Sequence, residues 1–392
     1  MNRRNGMEGS YGIGGGIVSE ESRKNLEKGE ELCRKKKPNE AFPYLMKAIE
    51  LDRNNLDAYI EISFLLDWEG AVETLEAAEL RGRQILKQEL GINCFIDDGG
   101  CVGKFWMMLQ TRPYMRVLRA QVRVYIETRK FDRCAKTLIE MLRLCPGDNL
   151  GQRFSLGSVL IHCGRYADAL SFSQQWLDNK GDVGDGCPPR GGTVFKAPRR
   201  DPGKPRSESE LRWESSQILY TAALASFKLF GDCHTSQAYL KMSAISNPHI
   251  LVKILARVQK PATLNSGARA ANGPEDAQDY LWLTQDLWMK DDVWNWANNN
   301  VDAKNTVLKV CSRESCGAKE KEVAEYKRCS ACHLVSYCGP ACQKQDWPKH
   351  KPACLDHKMQ KATMRAFQHG KPSPKGSPFP FFSTDIIQLP PP

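Results

Sequence analysis

Eight residues toward the C-terminal end of the chain could bind metal ions. Seven of the 15 cysteines lie within residues 311–354, together with a histidine. These ligands form four pairs. Two pairs have the short spacing of a tight turn, and two have the i, i+4 spacing that places both side chains on one helix face. Because a tetrahedral zinc ion takes four such ligands, the segment predicts two zinc sites. The ligands are Cys311, Cys316, Cys329, Cys332, Cys338, Cys342, His350 and Cys354.

Both zinc ions are predicted to be structural. A catalytic zinc keeps one coordination position open for water, whereas protein side chains fill all four positions of each ion here. A segment this short, with few apolar residues, cannot fold on a core of its own. Zinc must therefore supply the folding free energy, which is about 10–16 kcal/mol per site in finger peptides. We expect zinc removal to unfold residues 311–354 and to leave the preceding repeats folded.

The segment resembles the MYND zinc finger. Beyond the ligands, the resemblance depends on Tyr337, which precedes Cys338, and on the run CQKQDWPKHKPAC that ends at Cys354. Spacing alone leaves the pairing of the ligands open, but the resemblance implies a cross-braced arrangement. One ion would then be held by Cys311, Cys316, Cys338 and Cys342, and the other by Cys329, Cys332, His350 and Cys354. The first pair departs from the family, which commonly has two residues between these cysteines where this chain has four.

The resemblance also implies a function. MYND fingers are protein-interaction modules that take short peptides of the form Pro-x-Leu-x-Pro, and Gln343 and Trp347 match the positions that line the groove. An extended proline segment loses little entropy on binding, and an aromatic side chain suits its rings. Packing of Trp347 against the zinc loops is the alternative interpretation. The chain's own tail is a candidate ligand, because it keeps part of the motif in Ile387, Leu389 and Pro391.

The elements ahead of the finger resemble tetratricopeptide repeats, helix-turn-helix units of about 34 residues. Each unit must bury its apolar face on a neighbour, so the predicted fold class is mainly α: a tetratricopeptide-like α-solenoid, a small two-zinc cross-braced finger and disordered termini. The register within 57–112 stays open. The residues that carry the resemblance are Gly29, Ala41, Leu45 and Ala48, then Cys134, Leu138, Met141 and Pro146, then Gly157, Gly164, Tyr166 and Ala169.

Composition divides the chain further. Residues 1–20 are predicted to be a disordered arm, 21–258 the helical repeats, and 259–300 a loop and a Trp-rich capping helix. Within the repeats, residues 180–206 are rich in Pro, Gly and basic residues, which predicts a disordered basic insert. A Pro-rich disordered tail is predicted over 358–392.

Charge argues against nucleic-acid binding. The formal net charge is +10, but seven zinc-bound thiolates and two zinc ions change it by −3, to +7. Between residues 311 and 361 the same change leaves about +1, so the finger is a poor partner for a phosphate backbone. No apolar run is long enough for a membrane helix, and the clustered cysteines favour a reducing compartment, the cytoplasm or the nucleus.

The leading functional prediction is a non-enzymatic adaptor. MYND fingers also accompany SET-domain methyltransferases, but the chain lacks an Asn-His-Ser-Cys-like segment and a β-rich stretch, and no phosphate loop or nucleophile elbow is present. The alternative is a transcriptional or chromatin corepressor, or a nucleic-acid-associated zinc finger protein. Steep salt dependence of DNA binding would favour that alternative.

Overall fold

The structure, a computed structural model, describes residues 17–179, 186–265, 270–368 and 371–376, and its fold is mainly α-helical. None of the described helices is both long and apolar enough to cross a membrane. The described residues fall into two compact units, one of 17–205 and 214–239 and the other of 206–213 and 240–376.

The described part of the first unit contains nine α-helices and the first half of a tenth, α11; helix α9 belongs to the second unit and is given below. They are α1 (Glu20–Arg34), α2 (Pro38–Leu51), α3 (Leu56–Ser63), α4 (Trp68–Leu90), α5 (Arg112–Glu127), α6 (Phe131–Leu144), α7 (Arg153–His162), α8 (Tyr166–Asp178) and α10 (Ser216–Phe230); α11 spans His234–Ser246. From α1 to α8 each helix packs on the next, and α8 packs on α10. Helices that are neighbours in sequence are therefore also neighbours in space, as helical hairpins require. Whether they are true repeats stays a prediction.

Small residues mark the close contacts between these helices. A Cβ atom added at Gly29 in α1 would lie 2.4 Å from the Leu45 side chain in α2, and one at Gly157 in α7 would lie 2.5 Å from Thr221 in α10. Gly29, Ala41, Leu45 and Ala48 are all buried. The small residues singled out in the sequence thus stand where helices approach closely.

Part of the expected basic insert is ordered. Residues 180–185 lie outside the described residues, but 186–205 pack back along α8. The amide of Gln174 donates to the carbonyl of Arg199 (2.9 Å), that of Gln175 donates to the carbonyl of Gly192 (3.1 Å), and Arg199 forms an ion pair with Asp178 (2.7 Å). The composition argument was wrong here, because polar side chains of α8 satisfy the backbone of this segment without a core of its own.

The second unit begins with the short α9 (Glu208–Leu211), takes the end of α11, and continues with α12 (Pro248–Leu255), α13 (Pro274–Trp288), α14 (Asp291–Asn299) and α15 (Val301–Val307). Where the sequence predicts one Trp-rich helix, the structure has two, α13 and α14, which break at Met289 and Lys290. The break lets the rings of Trp288 and Trp296 stack with centroids 6.2 Å apart, and Arg257 covers the ring of Trp294. That this region caps the repeats stays a prediction.

Both ends of the chain were predicted to be disordered, but the parts of them that the structure describes are ordered. Residues 1–16 lie outside the described residues, but Ser19 caps α1 and its N–H donates to Asp52 (2.8 Å). At the other end the last helix, α16 (Pro340–Gln368), extends eleven residues into the expected tail. Residues 377–392, with Ile387, Leu389 and Pro391, lie outside the described residues.

Candidate metal centre

A two-stranded antiparallel sheet and the start of α16 build the finger. The strands are β1 (Lys327–Arg328) and β2 (Ser336–Tyr337), with Lys327 opposite Tyr337. A bridge between Val310 and Lys319 closes the first loop, and the N–H of Cys311 donates to the carbonyl of Ala318 (2.7 Å). These short elements leave few side chains to form a core, so the cysteines occupy the interior: the two buried clusters of the finger are built mainly around them.

The first ligand set contains Cys311, Cys316, Cys338 and Cys342, whose sulfur atoms all lie within 4.8 Å of one another. The Cys316–Cys338, Cys316–Cys342 and Cys338–Cys342 Sγ distances are 3.7, 3.7 and 3.4 Å. Two sulfurs bound to a tetrahedral zinc at about 2.3 Å lie about 3.8 Å apart. The set therefore has the size and the all-thiol chemistry of a structural zinc site.

The second ligand set contains Cys329, Cys332, His350 and Cys354, all buried. The Sγ atoms of Cys329 and Cys354 are 3.8 Å apart, and Sγ of Cys332 lies 3.4 Å from Nε2 of His350. These distances fit one tetrahedral ion held by three sulfurs and one nitrogen. The two sets alternate along the chain, which confirms the cross-braced pairing and the two structural zinc ions.

The first pair accommodates its longer spacing in a turn. The N–H of Cys316 donates to the carbonyl of Arg313 (2.9 Å), and Gly317 follows with a φ of 64°, a left-handed conformation that glycine adopts readily. The four-residue spacer thus forms a closed loop that returns Cys316 to Cys311. The departure from the family's usual spacing does not prevent the first set from closing.

One local prediction was wrong. The i, i+4 spacing of Cys338 and Cys342 suggested one helix face, but α16 begins at Pro340 and Cys338 follows β2 directly. Only Cys342 of this pair is helical, whereas His350 and Cys354 both lie in α16 and share a face as expected. The strand fixes Cys338 because the neighbouring Tyr337 is buried and its hydroxyl donates to Asp346 (2.7 Å).

Within the first ligand set, the surroundings lower the pKa of Cys316 and raise the pKa of Cys338. A hydrogen bond from the backbone N–H of Ala318, and then one from the Cys338 thiol, lower the pKa of Cys316 to about 6. The pKa of Cys338 is raised to about 12, because its thiol hydrogen-bonds to Cys342 and then to Cys316. A dication at the centre would remove this conflict, since it stabilises all four thiolates at once.

In the second ligand set too, the pKa of one cysteine is lowered and the pKa of another is raised. Burial raises the pKa of Cys329, but hydrogen bonds from the backbone N–H of Cys332 and from His350 outweigh it, and the pKa falls to about 6. Burial, and then a hydrogen bond to Cys329, raise the pKa of Cys354 to about 11. A metal-free set would therefore keep protons that zinc must displace.

The two proposed groove residues lie one turn apart on α16. Trp347 is 38% exposed, and its ring meets that of the zinc ligand His350 edge to face with centroids 5.9 Å apart. Gln343 is half-buried, four residues earlier on the same helix face. Trp347 thus packs on the second zinc site while the residue stays partly exposed, and its role in peptide binding stays a prediction.

Sequence reasoning missed Glu320. Its side chain is 4% exposed, and its two carboxylate oxygens accept the backbone N–H groups of Lys309 and Tyr326, each at 2.8 Å. One carboxylate therefore ties the segment that enters the finger to the segment that leads into β1. Nothing in the polar run around it distinguishes Glu320 from the exposed Glu322.

Comparison with known proteins identifies the segment. Residues 309–354 match the family model of the MYND finger. An F-box protein of Arabidopsis thaliana is 43% identical over 54 residues, which are 14% of this chain and 14% of that protein. A second Arabidopsis F-box protein is 46% identical over 48 residues, 12% of this chain and 14% of that protein. The SET domain and MYND-type zinc finger protein 6 of Schizosaccharomyces pombe is 42% identical over 40 residues, 10% of this chain and 8% of that protein.

These similarities are confined to short stretches. The chain spans about one seventh of the length of the two F-box proteins, and no solved structure matches it. The chain therefore carries a zinc-binding MYND finger, a protein-interaction module.

Proposed function

We propose that the protein is a non-enzymatic adaptor whose finger binds proline-containing peptides of the Pro-x-Leu-x-Pro kind. The observation that carries this proposal is the partly exposed ring of Trp347, held in place by the zinc ligand His350. A fixed aromatic surface costs a ligand little ordering entropy, and a proline-rich segment is itself pre-extended. Gln343, one turn away, supplies amide donors and an acceptor for the backbone of such a segment.

The non-enzymatic part of the proposal depends on the ligand count. Each zinc has four protein ligands in the two sets, so neither ion has a position for a substrate or an activated water. The helices of the first unit are proposed to offer a second protein-binding surface, supported by their packing in sequence order. We place the adaptor in the cytoplasm or nucleus, because its free cysteines and zinc thiolates require reducing conditions.

The test is a peptide titration of the zinc-loaded chain, with one synthetic peptide that contains Pro-x-Leu-x-Pro and another in which alanine replaces both prolines. We expect Trp347→Ala to weaken binding at least about thirtyfold, the cost of losing a central aromatic anchor. Trp68→Ala is the matched control, because Trp68 is 53% exposed and lies in α4, outside the finger.

Two results would contradict the proposal. One is equal binding of the two peptides by the unchanged protein. The other is equal weakening by Trp347→Ala and Trp68→Ala, provided that both variants retain their zinc. Binding to DNA that falls steeply with salt, without peptide binding, would favour the nucleic-acid alternative.

A further inference from the structure

Four basic side chains of the second unit come from three separate segments. His249 and Lys253 lie on one face of α12, separated by one turn. Lys309 lies two residues after α15, and Arg328 is the last residue of β1. His249, Lys253 and Lys309 are half-buried, and Arg328 is exposed, so the group is accessible from solvent.

The backbone brings these segments together. Helix α12 packs against α15, which ends at Val307, so the chain enters the finger beside α12. The buried carboxylate of Glu320 then accepts the N–H groups of both Lys309 and Tyr326, which places the start of β1 next to Lys309. Arg328 follows two residues later. The four residues therefore lie where α12 faces the entrance of the finger, and the charges of Arg328, Lys253 and Lys309 act on His249.

The charges in this group are incompletely balanced. Within the described part of the chain, the side chains of Lys253, Lys309 and Arg328 form no hydrogen bond or ion pair, and Glu275 is the acidic group near His249 and Lys253. Burial, followed by the charges of Arg328, Lys253 and Lys309, lowers the pKa of His249, and Glu275 opposes this only in part. Burial also lowers the pKa of Lys253. The neighbourhood carries more positive charge than the protein neutralises.

We infer that His249, Lys253, Lys309 and Arg328 form a binding site for a phosphate monoester carried on a side chain of a partner protein. Three cations and the carboxylates of Glu275 and Glu320 leave a local charge of +1 when His249 is neutral and +2 when it is protonated. A phosphorylated serine carries between about −1.5 and −2 at pH 7, which balances the group with His249 protonated. A phosphodiester carries a single negative charge, which matches the group only while His249 is neutral. Arginine and lysine are the usual partners of such groups.

This site is separate from the proposed peptide groove, and its test does not depend on Trp347. The probe is N-acetyl-O-phosphoserine amide, added to the zinc-loaded full chain at pH 7 and compared with sodium chloride at equal ionic strength. Histidine ring signals are followed by NMR, and His249→Gln assigns the signal of interest. Inorganic phosphate, the unphosphorylated serine amide and a single-stranded oligonucleotide are run in parallel.

We expect phosphoserine to move the His249 signal toward the imidazolium position along a saturating curve, because a bound dianion raises the pKa of a nearby histidine by about 1 or more. Lys253→Gln or Lys309→Gln should each weaken the affinity about tenfold. Lys361→Gln, at an exposed position of α16, is the control and should leave it unchanged.

The remaining outcomes would overturn the inference. They are a His249 signal that phosphoserine does not move, an equal effect of sodium chloride, or equal loss of affinity in all three lysine variants. Tighter binding of inorganic phosphate than of phosphoserine would point to the free ion, and a response to the oligonucleotide alone would point to nucleic acid. Melting curves of each variant verify that the site is tested in folded protein.

Discussion

Replacing Glu320 with alanine should weaken zinc binding by the finger, although Glu320 is not a zinc ligand. The buried carboxylate accepts two backbone N–H groups at 2.8 Å, from Lys309 and Tyr326. A hydrogen bond to a charged group contributes about 1.5–3 kcal/mol, and its loss leaves a buried donor unsatisfied. The two together contribute about 3–6 kcal/mol to the folded finger.

That loss is smaller than the free energy that the zinc ions supply to the finger, but large enough to measure. Structural zinc supplies about 10–16 kcal/mol per site in finger peptides, and folding and zinc binding are one process in such domains. A loss of about 3 kcal/mol should therefore lower the zinc affinity about a hundredfold, since each 1.4 kcal/mol corresponds to a factor of ten. At saturating zinc the Glu320→Ala finger should still fold, so the effect is measurable as an affinity.

The assay is competition for zinc between the full chain and a chromophoric chelator. Glu322→Ala is the control, because Glu322 lies two residues away, is 70% exposed and pairs with Lys304 on the surface. Exposed ion pairs contribute between 0 and about 1 kcal/mol, so this variant should lose less than about fivefold in affinity. Equal zinc affinities of the two variants would refute the claim that the buried carboxylate of Glu320 stabilises the folded finger.

Three further predictions concern pH, packing and the tail. Zinc affinity of the first site should fall at least about a hundredfold per pH unit as pH is lowered from 8, because zinc displaces protons from Cys338 and Cys342, whose pKa values are raised. A chelator titration that shows no pH dependence would contradict this. Gly29→Ala should lower the free energy of unfolding by about 1–3 kcal/mol through overpacking against Leu45, although alanine favours helices. Gly147→Ala, whose added Cβ has no neighbour closer than 3.9 Å, should change it far less in the same denaturant series. Deletion of residues 380–392 should strengthen binding of a Pro-x-Leu-x-Pro peptide if the tail competes for the groove, and unchanged affinity would exclude that role.

The zinc ligands could be predicted from the sequence, because cysteine and histidine in this spacing have few interpretations other than a metal site. Cysteines that converge on an ion must be close in the fold, and both sets close at the distances that a tetrahedral ion requires. The pairing between distant ligands was not available from spacing, since it depends on how β2 and α16 return to the first loops. Cys338 illustrates this, because a strand and not a helix positions it.

Other features escaped prediction because they depend on partners far along the chain. The segment 186–205 is ordered by contacts with Gln174 and Gln175 of α8, and nothing in the sequence around these two residues indicates this. Glu320 is buried only because Lys309 and Tyr326 present their N–H groups to it. The Trp-rich stretch breaks after Trp288 so that Trp296 can stack on it, a tertiary contact that helical periodicity does not contain.

The central claim is that two zinc ions organise the finger without taking part in turnover. Elemental analysis of the purified chain, before and after treatment with a chelator, tests it most directly when limited proteolysis follows each step. The account predicts two equivalents of zinc per chain, and after their removal rapid cleavage within 311–354 while the first unit stays resistant. Fewer than two equivalents in protein whose finger is protease-resistant would contradict it.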